Sequence, residues 1–158
     1  MRLHILAAAT CAAALAPIGA FACTVIPLEA LYAALDEAHL GGADAVRLRE
    51  LHLADLNGDG HLDAYAVTSF WTRGGSGDAG RVLYFEGRVG GVCGQPYAAS
   101  VETGAPGSLQ VEAQPAQAVG GYPAFKITFT PLNGGAAQTQ LFAYSTKDFG
   151  YQRAAPPR

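Results

Sequence analysis

Oxygen-bearing side chains stand at alternating positions in one short segment, which runs from Asp55 to Asp63. Asp55, Asn57 and Asp59 hold positions one, three and five of this segment, and Asp63 holds position nine. Alternate side chains of a curling loop point inward, so these oxygens can converge on a single cation. The spacing D-x-N-x-D-G is that of a calcium-binding loop. The segment therefore predicts a metal site.

The remaining positions of the segment define the predicted site further. Gly60, at position six, permits the sharp turn with which the chain wraps an ion. His61 would offer its backbone carbonyl rather than its ring. A ligand set made only of oxygens favours Ca²⁺ over Mg²⁺. Ala66 stands at position twelve, where an EF-hand has Glu, so water or a remote acid such as Asp78 or Glu86 would have to replace that ligand.

The surrounding sequence, residues 53–67, resembles the strand–loop–strand calcium loops of FG-GAP and VCBS-type repeats. β-branched and aromatic residues follow the loop, where an EF-hand has a helix. The resemblance covers about 15 residues and occurs once, so it implies calcium as a cofactor but no propeller. The alternative is a metal-free turn, because Asn-Gly and Asp-Gly are both strong turn dipeptides.

Residues 1–22 have the three-part pattern of a cleavable secretory signal peptide. Arg2 gives a positively charged start, an Ala- and Leu-rich run follows, and Ala20-Phe21-Ala22 places small residues at −3 and −1 of a cut before Cys23. The apolar run is shorter than the roughly 20 residues that a membrane span requires. A buried N-terminal helix, the alternative, does not explain this order. We expect an exported chain, periplasmic or extracellular.

Two cysteines remain in the mature chain, since Cys11 is lost with the signal peptide. In an oxidising compartment such a pair most often forms a disulfide. A Cys23–Cys93 bridge would contribute about 4 kcal/mol in the chain-entropy model. Two alternatives remain open: lipidation of Cys23 as the anchor of a lipoprotein, for which Phe21 fits poorly, and a catalytic Cys93, for which the sequence shows no base.

Composition restricts the classes of partner. Removing residues 1–22 from the 158-residue chain leaves 136 residues, which suits one domain, expected over 23–153 with a flexible tail at 154–158. Loss of Arg2 takes the formal charge from −3 to −4. A mildly acidic chain offers no electrostatic footprint for nucleic acid. No second apolar stretch is long enough to span a membrane. For an exported domain of this kind we expect a protein or envelope ligand as the partner.

One helix is predicted near the mature N-terminus, over residues 27–39. Pro27 suits its first turn, where the missing N–H costs nothing, and Gly41-Gly42 ends it. Apolar residues recur in this segment at helical spacing and form one stripe. The stripe consists of Leu28, Leu31, Tyr32 and Leu35.

Six strands are predicted after this helix, because the apolar period changes towards two and Gly- or Asn-rich turns intervene. They cover residues 51–55, 63–71, 81–86, 109–113, 125–130 and 139–144. Short turns favour an antiparallel meander. We therefore expect an α+β domain, with the N-terminal helix packed on a mostly antiparallel meander sheet of about six strands.

Evidence for an enzyme is weak in this sequence. The stretch 74–78 is similar to G-x-S-x-G, but its fifth residue is Asp78 and it lies between two strands, where a nucleophile elbow needs a strand and a helix. Neither His52 nor His61 has a second His at zinc spacing. We predict a non-enzymatic binding protein of the cell envelope with a structural calcium loop. The alternative is a small secreted hydrolase or enzyme inhibitor whose site the sequence does not reveal.

Overall fold

The computed structural model describes residues 23–33, 35, 45–71, 78–102 and 106–154. The predicted signal peptide lies outside these residues. So do the end of the predicted helix, the stretch 72–77 and, apart from Ala154, the predicted tail.

The described residues are mostly in β-strands. A 3₁₀ turn, Leu28–Ala30, follows the first strand, and the strands are β1 (Val25–Ile26), β2 (Ala45–Ala54), β3 (Asp63–Trp71), β4 (Asp78–Phe85), β5 (Gly87–Arg88), β6 (Gly91–Cys93), β7 (Tyr97–Glu102), β8 (Gly107–Val119), β9 (Tyr122–Pro131), β10 (Gln138–Ser145) and β11 (Gly150–Arg153). The six strands predicted from the sequence correspond to β2, β3, β4, β8, β9 and β10.

These strands form three sheets. The central sheet has the order β2-β3-β4-β7, the C-terminal sheet has the order β11-β10-β9-β8, and the small sheet has the order β1-β6-β5. All of their pairings are antiparallel, as the short turns indicated.

The predicted α+β architecture is wrong. Among the described residues no helix reaches seven residues, and three antiparallel sheets replace the single sheet. The predicted stripe is only partly correct: Leu31 and Leu35 are buried, but Tyr32 is 60% exposed. The described residues of the N-terminal segment bury Leu31 and Leu35 against one face of the central sheet without forming a long helix. The C-terminal sheet, and not a helix, covers the other apolar face of the central sheet.

The inner core lies between the central and C-terminal sheets. On the central sheet, Tyr65 and Val67 of β3 and Val82 and Tyr84 of β4 face inward. Aromatic and branched side chains of β9, β10 and β11 meet them from the C-terminal sheet. Those partners are Phe125, Ile127, Phe142, Tyr144 and Tyr151.

The outer core lies on the opposite face of the central sheet. The side chains that alternate with the inward-facing ones point this way, because successive residues of a strand face opposite sides. Ala64 and Ala66 of β3 and Leu83 and Phe85 of β4 pack there against the N-terminal segment and Val92 of the small sheet. The central sheet is therefore buried on both faces, and the loop between β2 and β3 emerges at its end.

Candidate functional site

The acidic loop connects β2 to β3, and its last acid, Asp63, is the first residue of β3. Gly60 has a φ of 85°, a left-handed conformation that costs glycine little. This confirms the turn that the sequence predicted at that position. Hairpin pairing of Ala54 with Asp63 closes the loop at its base.

Asp55 organises the first half of the loop. Its Oδ1 accepts a hydrogen bond from the backbone N–H of Gly58 at 2.7 Å, and its Oδ2 accepts one from the N–H of Gly60 at 3.0 Å. Each carboxylate oxygen can accept a second interaction, so both keep a lone pair for a further partner. The side chain is exposed and stays accessible to ions from solvent.

Asn57 and Asp59 organise the second half. Asn57 Oδ1 accepts from the N–H of Asp59 at 3.0 Å, and Asp59 Oδ1 accepts from the N–H of His61 at 2.8 Å. The Asn57 amide donates to Asp59 Oδ2 at 3.1 Å, which brings these two predicted ligands together. A cation held by both side chains would compete with that last hydrogen bond.

Asp63 differs from the other acids because it is fully buried. Its Oδ2 accepts from the N–H of Leu56 at 2.9 Å, and its Oδ1 accepts from the N–H of Gly87 at 2.6 Å. The carboxylate thus ties the loop to the start of β5. Gly87 fits there because a Cβ at this position would lie 2.8 Å from the carbonyl of Leu62.

Glu86 lies at the same end of the central sheet, and the sequence had suggested it only as one of two remote acids. Burial raises the pKa of its carboxyl; the Arg88 guanidinium, 2.8 Å away, opposes this rise, and the charges of Asp63 and Asp59 add to it. The other remote acid, Asp78, has its side chain outside the described part. No local sequence pattern links Glu86 to the acidic loop, because only the fold, through the β4–β5 connection, brings the two together.

The buried hydroxyl of Tyr84 is a further feature that the sequence did not indicate. It lies beside the Asp63 carboxylate, yet no described residue forms a hydrogen bond of regular geometry with it. Burial raises the pKa of Tyr84, and the charge of Asp63 raises it further. The Asp63 carboxylate therefore neighbours a core tyrosine as well as the backbone of the loop.

The donor chemistry of the loop fits a hard cation, although the described residues contain no group of three or more His, Cys, Asp or Glu side chains arranged to hold a metal. Asp63 turns inward to Leu56 and Gly87, which separates it from the exposed acids. Asp55, Asn57 and Asp59 retain free lone pairs on oxygen. All-oxygen ligands are those that calcium prefers.

Other candidate groups lie apart from the loop. His52 Nε2 is 2.9 Å from Glu50 Oε2, and the His52 ring stacks on Tyr65 at 4.5 Å. Such a pair acts as a general base only beside a nucleophile or a substrate. The predicted Cys23–Cys93 disulfide is present, with its Cα atoms 5.5 Å apart. The stretch similar to G-x-S-x-G lies almost wholly outside the described residues.

Among the residues that the structure describes, no helical segment has both the length and the hydrophobicity needed to cross a membrane. Comparison of the chain with protein-family models, with curated proteins and with solved structures gives no significant match.

Proposed function

We propose that this protein is an exported, non-enzymatic domain that binds a protein or envelope ligand and holds a structural calcium ion in its 55–63 loop. The Cys23–Cys93 disulfide carries the proposal, because it uses the first residue after the predicted cleavage site. Disulfides persist in the periplasm and outside the cell and are rare in the cytosol. The bridge therefore supports export.

The same bridge supports a soluble mature chain. A lipid anchor on Cys23 would occupy the sulfur that the disulfide uses, so one molecule cannot carry both. Cys93 is buried, and its sulfur lies in the bridge and not in a reactive thiol. These facts favour the disulfide-bonded form over the lipoprotein and over a catalytic cysteine.

Donor chemistry and charge support calcium in the loop. The side-chain oxygens of Asp55, Asn57 and Asp59 and the carbonyl of His61 would hold the ion. The buried Asp63 carboxylate, which accepts from Leu56 and Gly87, would support the loop from the core and not contact the ion. Acids close together repel one another, and a bound cation relieves that repulsion. The ion would rigidify the loop, and no chemical step is assigned to it.

The surface beside the loop supports a binding role. Leu62 is 52% exposed, and Val89, on the turn between β5 and β6, is 82% exposed. The hydrogen bond from the N–H of Gly87 to Asp63 holds the acidic loop, which contains Leu62, beside the β5–β6 hairpin, which contains Val89. Exposed apolar side chains next to exposed acids offer a partner both contact area and charge.

Export is tested by expressing the full chain with its own residues 1–22 in a bacterial host and weighing the product from the periplasmic fraction. We expect the mass of residues 23–158, reduced by the two hydrogen atoms that are lost when one disulfide forms. Uncleaved protein in the cytosol would contradict export. An acyl mass on Cys23 would contradict the soluble form.

Calcium binding is tested by equilibrium dialysis of the purified protein, alongside Asp59→Ala and Asp148→Ala. Both variants remove one exposed carboxylate, but Asp148 lies in the turn before β11, where it accepts from Ser145 at 2.7 Å. We expect Asp59→Ala to lose binding, because it removes the ligand oxygen, and Asp148→Ala to keep it. Equal binding by all three proteins, or none by the wild type, would refute the site.

A further inference from the structure

Residues 23–33 and 35 form a strap across the outer face of the central sheet, called here the N-terminal strap. Its first residue is bonded to Cys93 through the disulfide. Its strand β1 pairs with β6, with Val25 opposite Cys93 and Ile26 opposite Val92. The N–H of Gly94 adds a hydrogen bond to the carbonyl of Thr24 at 2.8 Å.

The strap closes the outer core. Leu31 is 1% exposed and Leu35 is 4% exposed, and both belong to the cluster formed by the outward-facing side chains of β3 and β4. Ile26 and Leu28 pack at the edge of this cluster. Without the strap, Ala66, which is fully buried, and its neighbours would meet solvent.

The attachment of the strap by its backbone is short. β1 has two residues, and a pairing of this length is not stable without further support. The 3₁₀ turn that follows is also short, with hydrogen bonds from the N–H of Ala30 to the carbonyl of Pro27 at 2.9 Å and from the N–H of Leu31 to the carbonyl of Leu28. The disulfide is therefore the strongest link that holds the start of the strap in place.

The inner core does not depend on the strap. Its buried members come from the central and C-terminal sheets and from Leu56 of the acidic loop, and none comes from residues 23–35. Those sheets also have long pairings, such as β8 with β9 and β2 with β3. Loss of the strap thus leaves the inner core with its own contacts.

We propose that the Cys23–Cys93 disulfide is a redox latch: oxidation fastens the N-terminal strap over the outer core, and reduction opens that apolar face while the two larger sheets stay folded. Opening occurs by exchange with a reduced dithiol protein or a small thiol, which is oxidised to a disulfide while Cys23 and Cys93 gain two protons and two electrons. Closure is the reverse exchange with an oxidised dithiol protein or a small disulfide. The two cysteine thiols lose two protons and two electrons, and the donor disulfide is reduced to two thiols. This inference rests on the proposed export, because export would bring the protein into the compartment where it meets the oxidant.

Hydrogen exchange read by mass spectrometry tests the latch on the purified protein, oxidised and after reduction with dithiothreitol. We expect peptides covering 25–33 to exchange at least about tenfold faster after reduction, because local opening then precedes global unfolding. Peptides of β9 and β10 should keep their protection. Binding of anilinonaphthalene sulfonate should rise as the apolar face opens.

Cys23→Ser is the matched variant, because Cys23 is only half-buried and the substitution leaves no large cavity. It should show the open pattern in oxidising buffer and should not respond to dithiothreitol. Unchanged protection of 25–33 after reduction would overturn the latch. Simultaneous loss of protection in β9 and β10 would also overturn it, since the bridge would then support the whole fold. Both readouts are independent of export, so a failed export test leaves this result interpretable.

Discussion

Asp63 is the residue at which the acidic loop, the central sheet and the small sheet meet. Its buried carboxylate accepts the N–H groups of Leu56 and Gly87, one on each oxygen. A buried donor that loses its acceptor keeps its desolvation cost, which makes such a carboxylate hard to replace. The loop geometry therefore depends on this side chain whether or not a cation is present.

We predict that Asp63→Asn lowers the free energy of unfolding by about 2 kcal/mol, because the new amide N–H₂ faces one of the two N–H donors. Urea unfolding in EDTA measures this cost. The matched variant Asp59→Asn changes an exposed acid of the same loop and should stay within about 0.5 kcal/mol of wild type in EDTA. Equal costs for the two variants would contradict the role of Asp63.

Sequence reasoning located the loop but not its connections. The spacing from Asp55 to Asp63 predicted the turn, because Gly60 and the alternating acids are local features. It did not predict that Asp63 turns inward to Gly87 of β5, or that Tyr84 and Glu86 lie beside it. Those contacts join residues more than 20 positions apart in the chain, which no local pattern encodes.

At the scale of elements, the β5–β6 hairpin is the part on which β1 rests. Gly90 and Gly91 both have left-handed backbone angles, 88° and 156°. A Cβ on Gly90 would meet nothing, whereas a Cβ on Gly91 would collide with the backbone carbonyl of Ile26. Substituting each of these two glycines in turn therefore distinguishes two contributions to the free energy of unfolding: the backbone strain of the turn and the displacement of β1.

Gly90→Ala should cost about 1–2 kcal/mol, the penalty of a left-handed alanine. Gly91→Ala should cost clearly more, because β1 must also move away from β6. Urea unfolding measures both costs, and faster hydrogen exchange at Val25 and Ile26 should appear in Gly91→Ala only. Equal costs and equal exchange would show that β1 is not held at this point.

The predictable elements were those with long, regular patterns. β3 was predicted over its whole range, and the five other predicted strands lie within or largely within observed ones. The missed strands have two to six residues, such as β5 and β11, and owe their conformation to their partners. The helix prediction failed because helical spacing in 27–35 shows only which residues are buried together and not how long the helix runs.

At the scale of the whole molecule, the sequence-based prediction placed all strands in one sheet and so missed the separate C-terminal sheet. Val82 to Phe85 is a continuous apolar run, which indicates a strand buried on both faces. One helix can cover only one of those faces. The sequence therefore contained a signal for a further layer, but not for which strands would form it.

Tyrosines connect the two larger sheets. The hydroxyl of Tyr97, on β7, lies 3.3 Å from that of Tyr122, on β9, and so joins the central to the C-terminal sheet. Within the C-terminal sheet, the Tyr151 hydroxyl donates to the carbonyl of Pro123 at 2.8 Å. Burial raises the pKa of Tyr84, of Tyr122 and of Tyr151. The folded state therefore keeps these phenols protonated where the unfolded chain would ionise them.

Stability should consequently fall as the pH rises above about 10, the ordinary tyrosine pKa, because the unfolded state then loses protons that the folded state retains. Below that pH the contribution is fully present. Urea unfolding at several alkaline pH values measures the slope. A slope of zero would contradict burial of the cluster.

Tyr84→Phe should reduce that slope at a cost of no more than about 0.5 kcal/mol at neutral pH, since its hydroxyl lies beside the Asp63 carboxylate without a hydrogen bond of regular geometry to any described residue. Tyr151→Phe should reduce it as well, but should cost about 1 kcal/mol at neutral pH through the lost hydrogen bond. The same cost for both variants would show that the Tyr84 hydroxyl has a partner.

Calcium as a structural ion of this domain is tested most directly by thermal unfolding of the purified protein in excess EDTA, in Ca²⁺ and in Mg²⁺, alongside Asp59→Ala. With Ca²⁺ at about one hundred times its Kd, linkage adds about 2.7 kcal/mol to the free energy of unfolding. We predict a rise in Tm of about 10 °C in Ca²⁺, a smaller rise in Mg²⁺, and none in Asp59→Ala. Identical unfolding curves in all conditions would contradict the calcium site and leave the 55–63 loop a metal-free turn.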